Sequence, residues 1–90
     1  MKYFIYLLIN IKNNRATTYV GYTNDLKNRI ALHNSGKGAK FTRGRQWRLI
    51  YKEIFESKKE AISREYYIKN NRTLRNKIKL KNEYFNLTAV

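Results

Sequence analysis

The sequence has no cysteine, no proline, one histidine, four glycines and only six acids, and each shortage removes a class of explanation. Without cysteine there is neither a disulfide framework nor a thiolate zinc site. The single histidine, His33, cannot form a zinc set alone. No repeat, low-complexity linker or composition break divides the chain, so its 90 residues read as one domain, 1–90, with a modest core. The longest apolar run, residues 3–9, is far too short to cross a bilayer and lacks the basic flank and cleavage site of a signal peptide. An intracellular location is expected, cytoplasmic or nucleoid/nuclear and not secreted, with no membrane association.

The shortage of acids is the most informative absence. Twenty Lys and Arg face six Asp and Glu, giving a formal net charge of +14. Such a surface projects a strong positive field and calls for a polyanion. Its basic segments are broken by glycines or interleaved with polar residues rather than backed by a long apolar face, which favours nucleic acid over a lipid surface. A composition rich in Asn, Ile, Lys and Tyr accounts for many lysines but not for the scarcity of acids.

Residues 3–9 are β-favouring and apolar at both parities, as in a central strand covered on both faces. Tyr3, Ile5, Leu7 and Ile9 share one face; Phe4, Tyr6 and Leu8 share the other. Asn13-Asn14 suits a hairpin tip, and residues 17–22 the returning antiparallel strand. Thr23 or Asn24 is expected to cap a first helix reaching about His33, with Asp25 in its first turn and Asn34-Ser35-Gly36 as its stop. Arg29 and His33 fall one helical turn apart. Residues 49–55 alternate as a third strand, and Ser57 with Glu60 fits a capping box opening a second helix. A third helix is expected over about residues 73–85, with Leu74, Ile78, Tyr84 and Phe85 as apolar positions and Glu83 ending a basic run.

All four glycines, Gly21, Gly36, Gly38 and Gly44, lie within one short span, which implies tight turns or close approach there. Between Gly36 and Arg48 the cations are Lys37, Lys40, Arg43, Arg45 and Arg48, with Phe41 and Trp47 among them and no acid. This loop is expected to grip phosphates and unstacked bases, with Trp47 tucked into the core instead.

Few carboxylates are free for chemistry. Asp25 and Glu60 serve helix starts, Glu53 and Glu56 read as solvent-facing, and Glu65 remains, in the middle of the second helix beside an apolar stripe. From spacing alone it reads as an ordinary partner of Lys69 or an arginine. Phosphodiester cleavage needs a base for the attacking water, a cation on the scissile phosphate and positive charge for the developing phosphorane. Tyr6 or Tyr19 with His33, Glu65 with a divalent metal, and Arg29 could supply these in turn.

With the segments Phe4-Ile5-Tyr6 and Tyr19-Val20-Gly21, followed in order by Asp25-Leu26, Arg29, His33, Asn34-Ser35-Gly36-Lys37-Gly38, Phe41-Thr42-Arg43-Gly44-Arg45 and Arg64-Glu65, the chain resembles the GIY-YIG endonuclease superfamily, in its small single-domain branch. Phe4 stands where the first signature has glycine and Val20 where the second has isoleucine, and neither position supplies a catalytic group. Trp47 falls where small relatives often carry proline.

The resemblance implies an α+β fold, a three-stranded antiparallel sheet flanked by helices, with Tyr6 and Tyr19 adjacent on paired strands. It implies metal-dependent DNA hydrolysis, with Glu65 as metal ligand for one Mg²⁺ or Mn²⁺, Arg29 stabilising the phosphate, and Tyr19, Tyr6 and His33 positioning or deprotonating water. The reading of Glu65 as a mere ion-pair partner is thereby reversed. The expected function is a structure-selective or weakly sequence-specific DNA endonuclease of repair or recombination, acting on branched or flapped DNA, with a protein partner supplying specificity. The alternatives are a non-catalytic nucleic-acid-binding module on the same scaffold and a basic membrane-surface or ribosome-associated protein.

Overall fold

The strand that is apolar at both parities is the middle one. The computed structural model describes residues 1–88, with side chains described through residue 82. β1 (Tyr3–Lys12) lies between β2 (Arg15–Thr23) and β3 (Arg48–Phe55) in an antiparallel sheet of order β2-β1-β3. Residues 5–10 of β1 are all buried because the sheet is covered on both faces. The β1–β2 hairpin turns at Asn13 and Asn14, both at positive φ (54° and 63°), a backbone conformation that asparagine tolerates better than most residues. β2 therefore begins two residues earlier than its alternation suggested.

α1 (Leu26–Asn34), α2 (Lys58–Lys69) and α3 (Arg72–Thr88) complete the fold, with a three-residue 3₁₀ turn at Lys40–Thr42. Asp25, rather than Thr23 or Asn24, caps α1, its carboxylate accepting from the Asn28 amide at 3.2 Å. Thr23 stands one step back, its hydroxyl accepting from the Asp25 amide at 3.1 Å. Ser57 caps α2 as expected, accepting from the Glu60 amide. The expected apolar positions Tyr84 and Phe85, and the acid Glu83, lie outside the described side chains.

Each sheet face has its own core. Ile5, Leu7 and Val20 pack with Ala61 and Ile68 of α2, joined by Leu74 and Ile78 of α3. On the other face Tyr6, Leu8 and Trp47 pack with Tyr19, Leu49, and Leu26 and Ile30 of α1. Burying each large aliphatic side chain stabilises by roughly 1.5–3 kcal/mol, so the central strand is the principal source of cohesion. Between Leu7 and Leu8 the β1–β3 register slips: Leu7 pairs Tyr51 while Leu8 pairs Leu49. This bulge sends Ile50 and Tyr51 to the α2–α3 face and Leu49 to the other.

Glu53 is not the solvent-facing acid its strand position suggested. Its carboxylate accepts from Arg64 Nε at 2.8 Å and Nη2 at 3.0 Å, and from the Tyr51 hydroxyl. Burial pushes the Glu53 carboxyl up, but the Arg64 and Tyr51 hydrogen bonds outweigh it and leave the carboxyl below its ordinary value. The pair ties α2 to β3, a tertiary contact that strand alternation cannot reveal.

Candidate active site

The β1–β2 register places Tyr6 opposite Gly21 and Leu8 opposite Tyr19, so the two tyrosines are diagonal neighbours on one sheet face. Their ring centroids are 6.5 Å apart. α1 crosses this face and delivers His33, fully buried, to both rings: 5.8 Å from Tyr6 and 5.0 Å from Tyr19.

The Tyr6 hydroxyl lies 2.8 Å from His33 Nε2, and His33 Nδ1 lies 2.8 Å from Thr42 Oγ1. Thr42 has one hydroxyl proton, and it donates that proton to the Ala39 carbonyl at 2.9 Å. Its oxygen must then accept, from the Ala39 amide at 3.2 Å and from His33 Nδ1–H. The imidazole is thus protonated on Nδ1 and presents the Nε2 lone pair to the Tyr6 hydroxyl. A proton leaving Tyr6 has a defined acceptor.

Electrostatics agree with this direction. Burial, reinforced by the nearby Tyr19 and Glu65, pushes the Tyr6 phenol up to about 12, although the Arg29 guanidinium pulls the other way. Tyr6 is therefore a proton donor in the resting site. Burial, and then the charge of Arg29, lowers His33 below its ordinary value and keeps it neutral near pH 7.

Two of the four glycines exist for this pair. A Cβ on Gly21 would run into the Tyr6 hydroxyl, and one on Gly38 would run into the His33 ring. The other two, Gly36 (φ 81°) and Gly44 (φ 75°), have open space around them and turn the backbone through the left-handed region. Tight turns and close approach were expected as alternatives; two glycines serve each, and what approaches Gly21 and Gly38 is the site's own side chains.

The structure thus gathers Tyr6, Tyr19, Arg29 and His33, with Glu65 near enough for its charge to act on Tyr6. Glu65 is mostly covered, at 17% side-chain exposure, and its Oε1 accepts from Lys69 at 3.1 Å. It is the i,i+4 partner of Lys69 that its spacing suggested, and its charge also reaches Tyr6. Among the described residues no group of three or more His, Asp or Glu side chains could hold a metal ion. A lone, mostly covered carboxylate suits a hard cation that retains most of its waters.

The four cations expected to contact nucleic acid separate into two pairs. Lys37 and Lys40 are exposed at the end of α1 and the start of the 3₁₀ turn. Arg43 and Arg45 instead line a cleft that also touches the β1–β2 hairpin. Phe41 is half exposed, yet its ring stacks on Tyr19 at 6.1 Å and lies under the Arg45 guanidinium at 4.9 Å. Trp47 is buried, as expected, and its Nε1 donates to the Thr42 carbonyl at 3.0 Å.

Two residues of the site were missed by sequence reasoning. Thr42 sits inside the segment 41–45, but no local spacing announces that its hydroxyl will meet an imidazole nine positions earlier. Asn34 is more than a helix stop: its side chain accepts from the Trp47 amide at 2.6 Å and donates to the Trp47 carbonyl at 3.1 Å. That clamp closes the loop between α1 and β3 and so holds Thr42 against His33.

The profile of the GIY-YIG catalytic domain matches residues 2–79. The chain belongs to the GIY-YIG family. This makes it a nuclease-type domain. A UPF0213 protein of Clostridium perfringens is 52% identical over 67 residues, covering 73% of this chain and 69% of that protein. One from Staphylococcus haemolyticus is 48% identical over 69 residues, covering 76% and 80%. The solution NMR structure of a UPF0213 protein from Bacillus halodurans is 40% identical, with a TM-score of 0.50 over 87% of this chain and 82% of that one. In the GIY-YIG frame, the two signature segments are staggered across the hairpin and meet at Tyr6 against Gly21, while Val20 and Tyr19 pair with Leu7 and Leu8. Among the described residues no helix is long and apolar enough to cross a membrane.

Proposed function

We propose that this GIY-YIG domain is a DNA endonuclease, structure-selective or weakly sequence-specific, that hydrolyses phosphodiester bonds with a single divalent cation. The observation that carries the reading is the buried Tyr6–His33–Thr42 hydrogen-bond chain beside Arg29. Tyr6, Tyr19, Arg29, His33 and Glu65 are its working residues.

The scissile phosphate rests on the Arg29 guanidinium, which balances the charge of the phosphorane. As water attacks phosphorus, its proton passes to the Tyr6 oxygen while the Tyr6 proton passes to His33 Nε2. The bond to the departing sugar oxygen breaks, and that oxygen is protonated from solvent. The imidazolium keeps its Nδ1–H bond to Thr42 throughout. Tyr6 alone, with a phenol at about 12, is too weakly acidic to serve as a base at neutral pH; coupling to His33 removes that obstacle. The positive charge of Arg29 opposes protonation of His33 in the free protein, and a phosphate bound to Arg29 offsets it, so the base strengthens when substrate arrives. Mg²⁺ or Mn²⁺ held by Glu65 would add positive charge at the phosphate oxygens.

Cleavage of linear, branched and flapped DNA in Mg²⁺ tests the reading. Products are expected from the wild type and not from Glu65→Ala; equal products from both would overturn it. The engagement of Glu65 by Lys69 favours one alternative, a nucleic-acid-binding module without catalysis. DNA binding by both proteins with no cleavage of any substrate would support that alternative. Roles in repair or recombination, and a protein partner that supplies target choice, belong to the same proposal.

A further inference from the structure

A cluster of four cations lies away from Arg29 and Glu65. A cleft of about 480 Å³ opens between the tip of the β1–β2 hairpin and the turn at Arg43–Arg45. Lys12 and Arg15 line it from the hairpin, Arg43 and Arg45 from the turn, and Asn10 and Thr17 form part of its lining. None of its lining residues is an acid, and the two ion pairs among the described residues, Arg64–Glu53 and Lys69–Glu65, do not involve its cations.

Packing does not account for this arrangement. Lys12 and Arg15 are direct cross-strand partners, a like-charge pairing that destabilises a hairpin. Both are exposed, so neither is retained for burial. The two-residue Asn13-Asn14 turn holds them on a short hairpin tip rather than on a long loop.

The cleft also lies on the sheet face that carries the candidate active site. Along β2, Tyr19, Thr17 and Arg15 occupy alternate positions and so share a face; along β1, Tyr6, Leu8, Asn10 and Lys12 do the same. Arg15 is four residues from Tyr19, roughly 13 Å along the strand at about 3.3 Å per residue. At about 3.4 Å per nucleotide of a duplex strand, this is a reach of about four nucleotides. The opposite wall is joined to the site as well, because Arg45 lies over Phe41 and Phe41 stacks on Tyr19.

We propose that this cleft is a phosphate-binding subsite for the DNA strand flanking the scissile bond, with Lys12 and Arg15 of the hairpin acting together with Arg43 and Arg45. It rests on the DNA-cleaving reading above and deepens it by fixing where the strand runs: from Arg29 and Tyr19 toward the hairpin tip. The enzyme then engages the backbone on that side without reading bases, as expected of a weakly sequence-specific nuclease.

The test is metal-free DNA binding, so that it does not depend on catalysis. Affinity for a labelled DNA is measured across a salt series for the wild type, Lys12→Ala/Arg15→Ala, and a control of equal charge loss on the opposite sheet face, Arg72→Ala/Lys77→Ala, with folding checked by circular dichroism. The hairpin variant is expected to lose roughly tenfold or more in affinity at 0.1 M salt and to reduce the slope of log K against log salt by about two, one per lost phosphate contact. The control is expected to change much less. Equal losses in the two variants would assign the effect to net charge and overturn the subsite. Wild-type binding with an unchanged slope in the hairpin variant would overturn the subsite alone, leaving the nuclease reading intact. No DNA binding by the wild type would overturn both. Loss confined to phosphatidylserine vesicles would move the cleft to a membrane surface and overturn it too.

Discussion

Gly21 lies directly opposite Tyr6 across the hairpin, and the side chain it lacks is the space the Tyr6 hydroxyl occupies. That absence allows a phenol to be buried and still reach His33 Nε2 at 2.8 Å. Gly21→Ala should therefore push the ring off its acceptor. Overpacking of this kind costs about 1–3 kcal/mol, measurable by urea unfolding, and cleavage should fall further than the stability loss explains. Unchanged stability and activity would show that the ring has room to move.

Thr42 is expected to act through His33 rather than on substrate. Thr42→Val leaves Nδ1–H without an acceptor in a fully buried setting, a loss of about 1–3 kcal/mol in stability. The imidazole should then populate both tautomers, seen in the ¹⁵N shifts of His33, and cleavage should fall while DNA affinity holds. Thr42→Ser, which keeps the hydroxyl, should restore the Nδ1–H tautomer and most of the activity. A Val variant with the wild-type ¹⁵N pattern would remove Thr42 from the proton path.

The lowered value of His33 has a stability consequence with a definite sign. Above about pH 6.5 the imidazole is neutral in both folded and unfolded chains. As pH falls below that value the unfolded chain takes up a proton that the folded chain resists, so the unfolded state gains and stability declines until the lowered native value is passed. The slope cannot exceed about 1.4 kcal/mol per pH unit for one group. Urea unfolding from pH 7.5 to 5.5 should show the decline in the wild type and a flatter profile in His33→Gln. The lowered Glu53 carboxyl contributes in a separate window: its stabilisation is present above the ordinary carboxylate range and is lost as pH falls through the native value.

Lys69 competes with any cation for Glu65. An i,i+4 pair on a helix is worth about 0.3–0.5 kcal/mol, so Lys69→Ala should tighten Mn²⁺ binding by only about twofold at constant ionic strength. Calorimetric titration would read it. A tenfold change in either direction would mean that Lys69 does more than pair with Glu65.

The central place of β1 was legible without coordinates, because a strand apolar at both parities has few places to sit except the middle of a covered sheet. The hairpin, the three helices and the Ser57 cap followed from turn chemistry and periodicity, which act within a few residues. The N-cap of α1 was misplaced by one or two residues because Thr23, Asn24 and Asp25 are all competent caps, and only the path of the chain selects Asp25. Glu53 looked exposed because alternation says which face a side chain takes, not which helix will later cover it.

By itself the sequence determined the elements, the excess of positive charge and the set of residues from which a site could be drawn. Tertiary structure decided the relations among them: Tyr6 against Gly21, His33 between Tyr6 and Thr42, and the hairpin cations facing the Arg43–Arg45 turn. The reason is physical. Local conformation depends on near neighbours along the chain, whereas a hydrogen bond such as that between Tyr6 and His33 spans 27 positions and exists only after sheet register, helix docking and loop closure are fixed together.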